Sequence, residues 1–356
     1  MAIKISNNDV IDNNRKGIFL SANVGSYTTA TRPASPVAGD VIYNSTINYL
    51  QFWNGTQWIA MPDPGVLATG GTITSNTTNK YHTFTSPATF TVNYLPPNLT
   101  FQYIVVAGGG GGGSFMSGGG GAGGVRFGTL TIPEGSHTIT IGGGGSGSTV
   151  DGTPGVNGNN SSIAALLVSA GGGGGGSYND PGPSGGSGGG GGPNDTSPFT
   201  SPGGAGNTPA TTPSQGNPGG QGFRGSPAYP GGGGGGGATA PGTGKTTPFG
   251  AAGSGGDGYT STLYNSTGAS QSWGGGGGGG QDYSAGQPVA PAGTGGIGGG
   301  GPGARSSVAT ATAGTVNTGG GGGGGSDNEG APIGQPATYT PGANGGSGYV
   351  VIYYAL

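Results

Sequence analysis

Gly345-Gly-Ser-Gly-Tyr349-Val-Val-Ile-Tyr-Tyr-Ala-Leu356 is the stretch on which the reading of this chain turns. A disordered glycine tail has no reason to close on a continuous apolar segment, and a short run of this kind reads as a strand buried on both faces. The simplest partner is an early strand over Gln102 to Val106. If Tyr349 to Tyr354 pairs there, the glycine-rich stretch 108–348 is a closed excursion from a β framework.

Working outward, the framework is expected over about 66–107, 125–141, 163–169 and 349–355, within a domain spanning 66–356. Phe90, Val92 and Tyr94 alternate, as do Phe101, Tyr103 and Val105, the period-2 signature of strands. Leu130 and Ile132, then Ile139 and Ile141, flank Pro133 to Ser136 and read as a hairpin. Ile163 to Val168 reads as another buried strand. Residues 1–65 form a separate small β module for assembly or attachment, with strands at Val41–Tyr43, Tyr49–Trp53 and Gln57–Ile59. Asn54-Gly55 signals a two-residue hairpin between the last two. So small a module is expected to borrow burial from a neighbour, either another copy or another protein. No segment shows sustained helical periodicity.

Composition narrows the function classes. Charged residues are 6% of the chain and the net charge is −3. That gives no electrostatic footprint for nucleic acid, whose phosphates call for clustered Lys and Arg. Without cysteine there is no disulfide framework, zinc knuckle or thiol nucleophile. Met1 to Leu20 is too polar for a signal-peptide core, and no stretch approaches a membrane span. An extracellular protein of this kind would leave the cell by lysis, as virus particles do.

Glycine and proline make up about a third of the chain. Five runs of six or seven glycines lie at 108–113, 171–176, 231–237, 274–280 and 319–325, at unequal intervals. The spacing fits neither solenoid repeats nor collagen. A flexible linker is the plain alternative for such composition. Against it, aromatic residues punctuate the runs and framework strands bracket them. Polyglycine-II geometry offers an ordered form, because bare backbones approach closely enough to bond to one another. The fold expected is therefore mainly β plus polyglycine-II helices: a small N-terminal β module, then a β framework enclosing a packed polyglycine-II sandwich, with essentially no α-helix.

Particular stretches carry a resemblance. Tyr103-Ile-Val-Val-Ala-Gly108 running into polyglycine, Gly128-Thr-Leu-Thr-Ile132, Ser169-Ala-Gly-Gly172 and the terminal Gly345 to Tyr353 resemble glycine-rich domains of bacteriophage tail proteins. The alternation of glycine runs with variable loops is similar to the tail-fibre tip adhesins of T-even-like phages. The resemblance implies a polyglycine-II sandwich whose loop tips bind a bacterial surface receptor, an outer-membrane protein or a glycan. It implies a virion location, extracellular, with residues 1–65 meeting other virion or fibre proteins. Assembly into a homo-oligomer is a further partner expectation; nucleic acid, membrane insertion, cofactors and catalysis are not expected. The chain has no close match to the adhesins' N-terminal attachment domain. A purely structural fibre or filament subunit is the alternative function.

Candidate receptor-binding residues are Tyr178, Asn179, Asp180, Phe223, Tyr229, Tyr259, Tyr264, Trp273 and Tyr283, where flat rings sit beside hydrogen-bonding side chains. The alternative for any of them is a ring that caps the glycine region. Other motifs weigh less. Pro241 to Thr246 resembles the end of a P-loop, but the first glycine of that pattern is Thr239 and Pro248 follows closely. His82 and His137 read as half-exposed strand residues. Asp180, Asp195, Asp257, Asp282 and Asp327 sit in turn-like surroundings, which leaves little material for paired-carboxylate chemistry.

Overall fold

Alternating apolar residues make the first strands of the framework. The computed structural model describes residues 3–5, 8–11, 24–61, 65–225, 230–282, 290–306, 308–327 and 339–356. They fall into two compact units, one of residues 1–67 with 93–98 and one of 68–92 with 99–356.

In the first unit β1 (Ile3–Ile5) and β2 (Asn8–Ile11) pair with each other, and a second sheet runs β3 (Ser26–Tyr27), β4 (Val41–Asn44), β5 (Tyr49–Trp53), β6 (Trp58–Met61). Trp53 pairs with Trp58, so the β5–β6 turn holds four residues where the sequence suggests two. The reason is Asn54, whose Oδ1 accepts from the Thr56 and Gln57 amides, both at 2.8 Å, and holds the wider loop. Ile47, Ala60 and Tyr94 form the core, and the Tyr94 hydroxyl accepts from the Ala60 amide at 3.1 Å. A later segment of the same chain, residues 93–98, thus adds to the core of this sheet.

The second unit continues with β7 (Leu67–Thr69), β8 (Thr72–Ser75), β9 (Asn79–Phe84), β10 (Ala88–Tyr94), β11 (Phe101–Val106), β12 (Val125–Leu130), β13 (Gly135–Thr140), β14 (Ser161–Ile163) and β15 (Leu167–Ser169). Short pairs β16 (Thr200–Ser201) with β17 (Gly222–Phe223) and β18 (Tyr259–Ser261) with β19 (Gln271–Trp273) lie between glycine runs, and β20 (Tyr349–Ala355) closes the set. One five-stranded sheet has the order β12-β11-β20-β9-β8, the other β15-β14-β13-β10-β7. As expected, β20 pairs with β11, Val351 opposite Ile104 and Tyr353 opposite Gln102.

The rings of Phe84, Phe90, Phe101 and Tyr354 meet edge to face at 5.6–6.3 Å, joining the two sheets through one aromatic core. Such pairs add about 0.5–1.5 kcal/mol each beyond their area. His82 is fully buried in this core, not half-exposed. Its Nδ1 lies 2.8 Å from the Gly70 carbonyl, and burial lowers its pKa. His137 is half-buried in β13.

Two strand expectations need correction. Leu130 and Ile139 do not form one hairpin: β12 belongs to one sheet and β13 to the other, with Ile132 buried where the chain crosses. Ile163 to Val168 is not one strand but a turn through Ala164 (φ 45°) joining β14 and β15.

The glycine runs need the larger correction. Polyglycine-II helices are not elements of this structure. Its regular elements are strands and one 3-10 turn, Thr29–Thr31; essentially no α-helix is present among the described residues. The long runs lie outside these elements and are ordered by bonds to other segments. Gly108 donates to the Asn159 carbonyl, Gly109 to Gly346 and Gly110 to Gly121, at 2.8–3.0 Å. Each such bond contributes about 1 kcal/mol net against the entropy that glycine loses on ordering. The approach is too close for side chains: a Cβ on Gly110 would overlap the Gly173 carbonyl, and one on Gly112 the Gly323 carbonyl.

Candidate functional site

The glycine runs carry the chain from the framework to a set of turns and back. Gly108–Gly113 leaves β11 and Gly118–Gly124 returns to β12, with the turn at Ser114–Ser117, where Phe115 (φ 62°) and Met116 (φ 54°) are left-handed. Gly171–Gly176 leaves β15 and ends at Ser177, whose hydroxyl donates to the Ser114 carbonyl at 2.6 Å. That bond sets the following residue beside the first turn. The rings of Phe115 and Tyr178 meet edge to face at 5.5 Å.

Asn179 turns the chain with φ 66°. Its amide donates to the Pro193 carbonyl at 2.8 Å, and its Oδ1 accepts from the Asp195 amide at 2.9 Å. The Asp180 carbonyl accepts from Gly192 at 3.0 Å. Phe223 in β17 pairs with Thr200, and the next amide, Arg224, donates to the Phe199 carbonyl at 2.9 Å. The Arg224 guanidinium then stands 5.4 Å over the Tyr178 ring and forms an ion pair with Asp195.

Tyr178, Asn179, Asp180 and Phe223 are thereby brought together with Phe115, Arg224 and Asp195. Both members of the ion pair keep a third or more of their side chain in solvent. At that exposure the pair is worth about 0–1 kcal/mol, and the cation over the ring about 0.5–1 kcal/mol. The cluster therefore retains most of its capacity for an incoming ligand. Phe115 was not singled out from sequence, although its ring between two glycine runs was the available signal. Phe199, exposed and left-handed (φ 64°), carries no such signal.

Tyr259, Tyr264 and Trp273 lie elsewhere. The β18–β19 hairpin folds onto the framework sheet, where Tyr264 and Trp273 are 4% and 3% exposed among Tyr81, Ile104, Val351 and Tyr353. Trp273 stacks on Tyr349 at 5.8 Å and Tyr259 on Phe127 at 4.3 Å. Burial raises the Tyr264 pKa, helped by its tyrosine neighbours. Tyr264 and Trp273 are core residues here, not a receptor surface. Tyr229 and Tyr283 lie outside the described residues.

The P-loop likeness has no phosphate site behind it. Lys245 is fully buried, its Nζ donating to the Gly250 carbonyl and to Gln281 Oε1 (3.0 Å). No group of three or more His, Cys, Asp or Glu that could hold a metal occurs among the described residues.

Residues 85–355 match the family model described as a glycine-rich domain. The chain belongs to this glycine-rich family. The match takes in the framework from β10 through β20 and every long glycine run, including those that position the Tyr178 cluster. No curated protein matches the chain. No helix among the described residues is long and apolar enough to cross a membrane.

Proposed function

We propose that this chain is a virion adhesin of the phage tail-fibre kind, which holds a bacterial surface receptor through turns displayed on its glycine region. The observation that carries the reading is the half-exposed cluster of Phe115, Tyr178, Arg224 and Asp195, built on backbone-bonded runs. Rigid rings give contact area at low entropic cost, and an arginine beside them supplies directional donors. The glycine-rich family match agrees with such a scaffold. Binding here needs no cofactor and no catalysis, and many weak copies per particle act through avidity.

The test is binding of labelled full-length protein to a panel of bacterial strains. Saturable binding to a subset is expected, weakened about tenfold, or 1.4 kcal/mol, in Arg224→Ala and in Tyr178→Ala. Both variants should keep the wild-type thermal midpoint. Absence of binding to every strain, or binding that neither variant changes, would reject the reading.

A structural fibre subunit is the second reading, favoured by β8. Thr72–Ser75 lies at the end of its sheet, uncharged and exposed at all four residues. Open edges of that kind invite strand addition by another copy. Concentration-dependent filaments on sedimentation, lost on Ile73→Lys, would move this reading ahead of the first.

A further inference from the structure

The edge strand β12 borders a cavity of about 40 Å³ that the Tyr178 cluster does not touch. By that measure a single water needs about 10–15 Å³, so the space suits a group the size of a carboxylate. Tyr103, Arg126, Phe127, Thr212 and Ser214 line it.

Two polar groups there have donors to spare. Tyr103 is 7% exposed, and its hydroxyl has no hydrogen-bond partner in the protein among the described residues. Arg126 has five N–H donors and uses one, from Nη1 to the Val168 carbonyl at 3.1 Å. No carboxylate faces it among the described residues. A nearly buried phenol and a part-exposed guanidinium with spare donors on one cavity favour an anionic oxygen ligand, because both groups donate.

The lip of the cavity is preformed. Asn207 Oδ1 accepts from the Thr211 amide at 3.0 Å and the Gln215 amide at 3.2 Å. The Gln215 side chain donates to the Pro209 carbonyl at 2.7 Å and accepts from the Ala170 amide at 2.9 Å. The Gln215 carbonyl accepts from the Val125 amide at 2.8 Å, fixing the loop to the start of β12. The Ser214 hydroxyl donates to the Gly216 carbonyl at 2.8 Å, so the loop that carries Thr212 and Ser214 needs no ordering on binding. Phe127 gives the cavity an aromatic wall, held in place by its stack on Tyr259.

We infer that this cavity is a subsite for an acidic sugar, taking the carboxylate between Arg126 and the Tyr103 hydroxyl with the sugar ring against Phe127. The site stands independently of the Tyr178 cluster. The test uses the full chain and titrates glucuronate, glucose and acetate by ligand-observed NMR. Glucuronate is expected to bind in the millimolar range, with at least tenfold weaker binding of glucose. Acetate should bind more weakly than glucuronate, since it lacks a ring. Arg126→Gln should abolish glucuronate binding, and Tyr103→Phe, which removes one oxygen and leaves the ring packed, should weaken it about fivefold. Arg224→Ala should leave it unchanged. Equal binding of glucuronate and glucose, acetate binding equal to glucuronate, no binding at all, or glucuronate binding that survives both cavity variants would overturn the assignment.

Discussion

Lys245 shows how far a single residue's chemistry depends on its surroundings. Desolvation lowers its pKa from 10.5 to about 8, and its acceptors among the described residues are an amide oxygen and a carbonyl. Between about pH 8 and the ordinary lysine range the unfolded chain holds this proton and the folded chain does not. Stability therefore rises with pH across that window, and below it the cost of burying the ammonium is fully present. Tyrosines act in the opposite sense. Burial pushes Tyr354 up to about 12 and raises Tyr264 and Tyr353, so ionisation of the unfolded chain above pH 10 draws stability away. The expected urea midpoint climbs from about pH 8 to about pH 9.5 and then falls. Lys245→Met should be more stable at pH 7 and lack the rising limb. Parallel profiles for the two proteins would show that the ammonium is not desolvated. Sequence exposes the lysine only as a P-loop look-alike, because nothing local distinguishes a buried Lys from a solvated one.

At the scale of elements, the glycine runs make a sharper claim than composition does. Gly120 donates to the Gly322 carbonyl and accepts from Gly277, both at 2.8 Å, and a Cβ there would overlap the Gly110 carbonyl. At Gly143, which is exposed, the nearest atom to an added Cβ is Asn159 Nδ2 at 3.7 Å. Gly120→Ala should cost at least about 2 kcal/mol by overpacking. Gly143→Ala should be neutral or stabilise by about 0.4–1 kcal/mol through the unfolded chain. Thermal unfolding of the two variants separates a positional demand for glycine from a tolerance of it; equal effects would refute the close packing. The position of Ala122, fully buried inside a run, shows that the demand is site by site. Strands were legible because β10, β11 and β20 carry their burial pattern in their own residues. The switch between β12 and β13 was not, since residues flanking Pro133 read alike whether the chain turns within a sheet or crosses to another. The same limit explains the candidate site. Tyr178 and Trp273 both stand beside a glycine run, but only tertiary packing decides that one faces outward and the other fills the core.

For the second unit as a whole, the question is whether the glycine region holds the framework or the framework holds it. β20 is the central strand of its sheet, bonded to β11 on one side and β9 on the other. It sends Tyr354 into the aromatic core between the sheets and Val351 and Tyr353 into the opposite cluster. Between β15 and β20, among the described residues, the chain adds no strand to either five-stranded sheet, so this one strand closes the long excursion. Closure entropy grows only slowly with loop length, so one well-buried strand can close an excursion this long. Single runs, by contrast, have no side chains to bury and gain order only from neighbours that must already be in place. The framework is therefore expected to come first, and the runs to order on it as one cooperative unit. Deleting residues 349–356 should release the glycine runs to limited proteolysis together with loss of the strand signal in circular dichroism. Val351→Asp, which places a charge in the cluster beneath β20, should give a milder form of the same coupled loss. If the truncated chain kept residues 108–327 protected while β9 and β11 melted, the runs would be self-supporting and the order of dependence would be reversed.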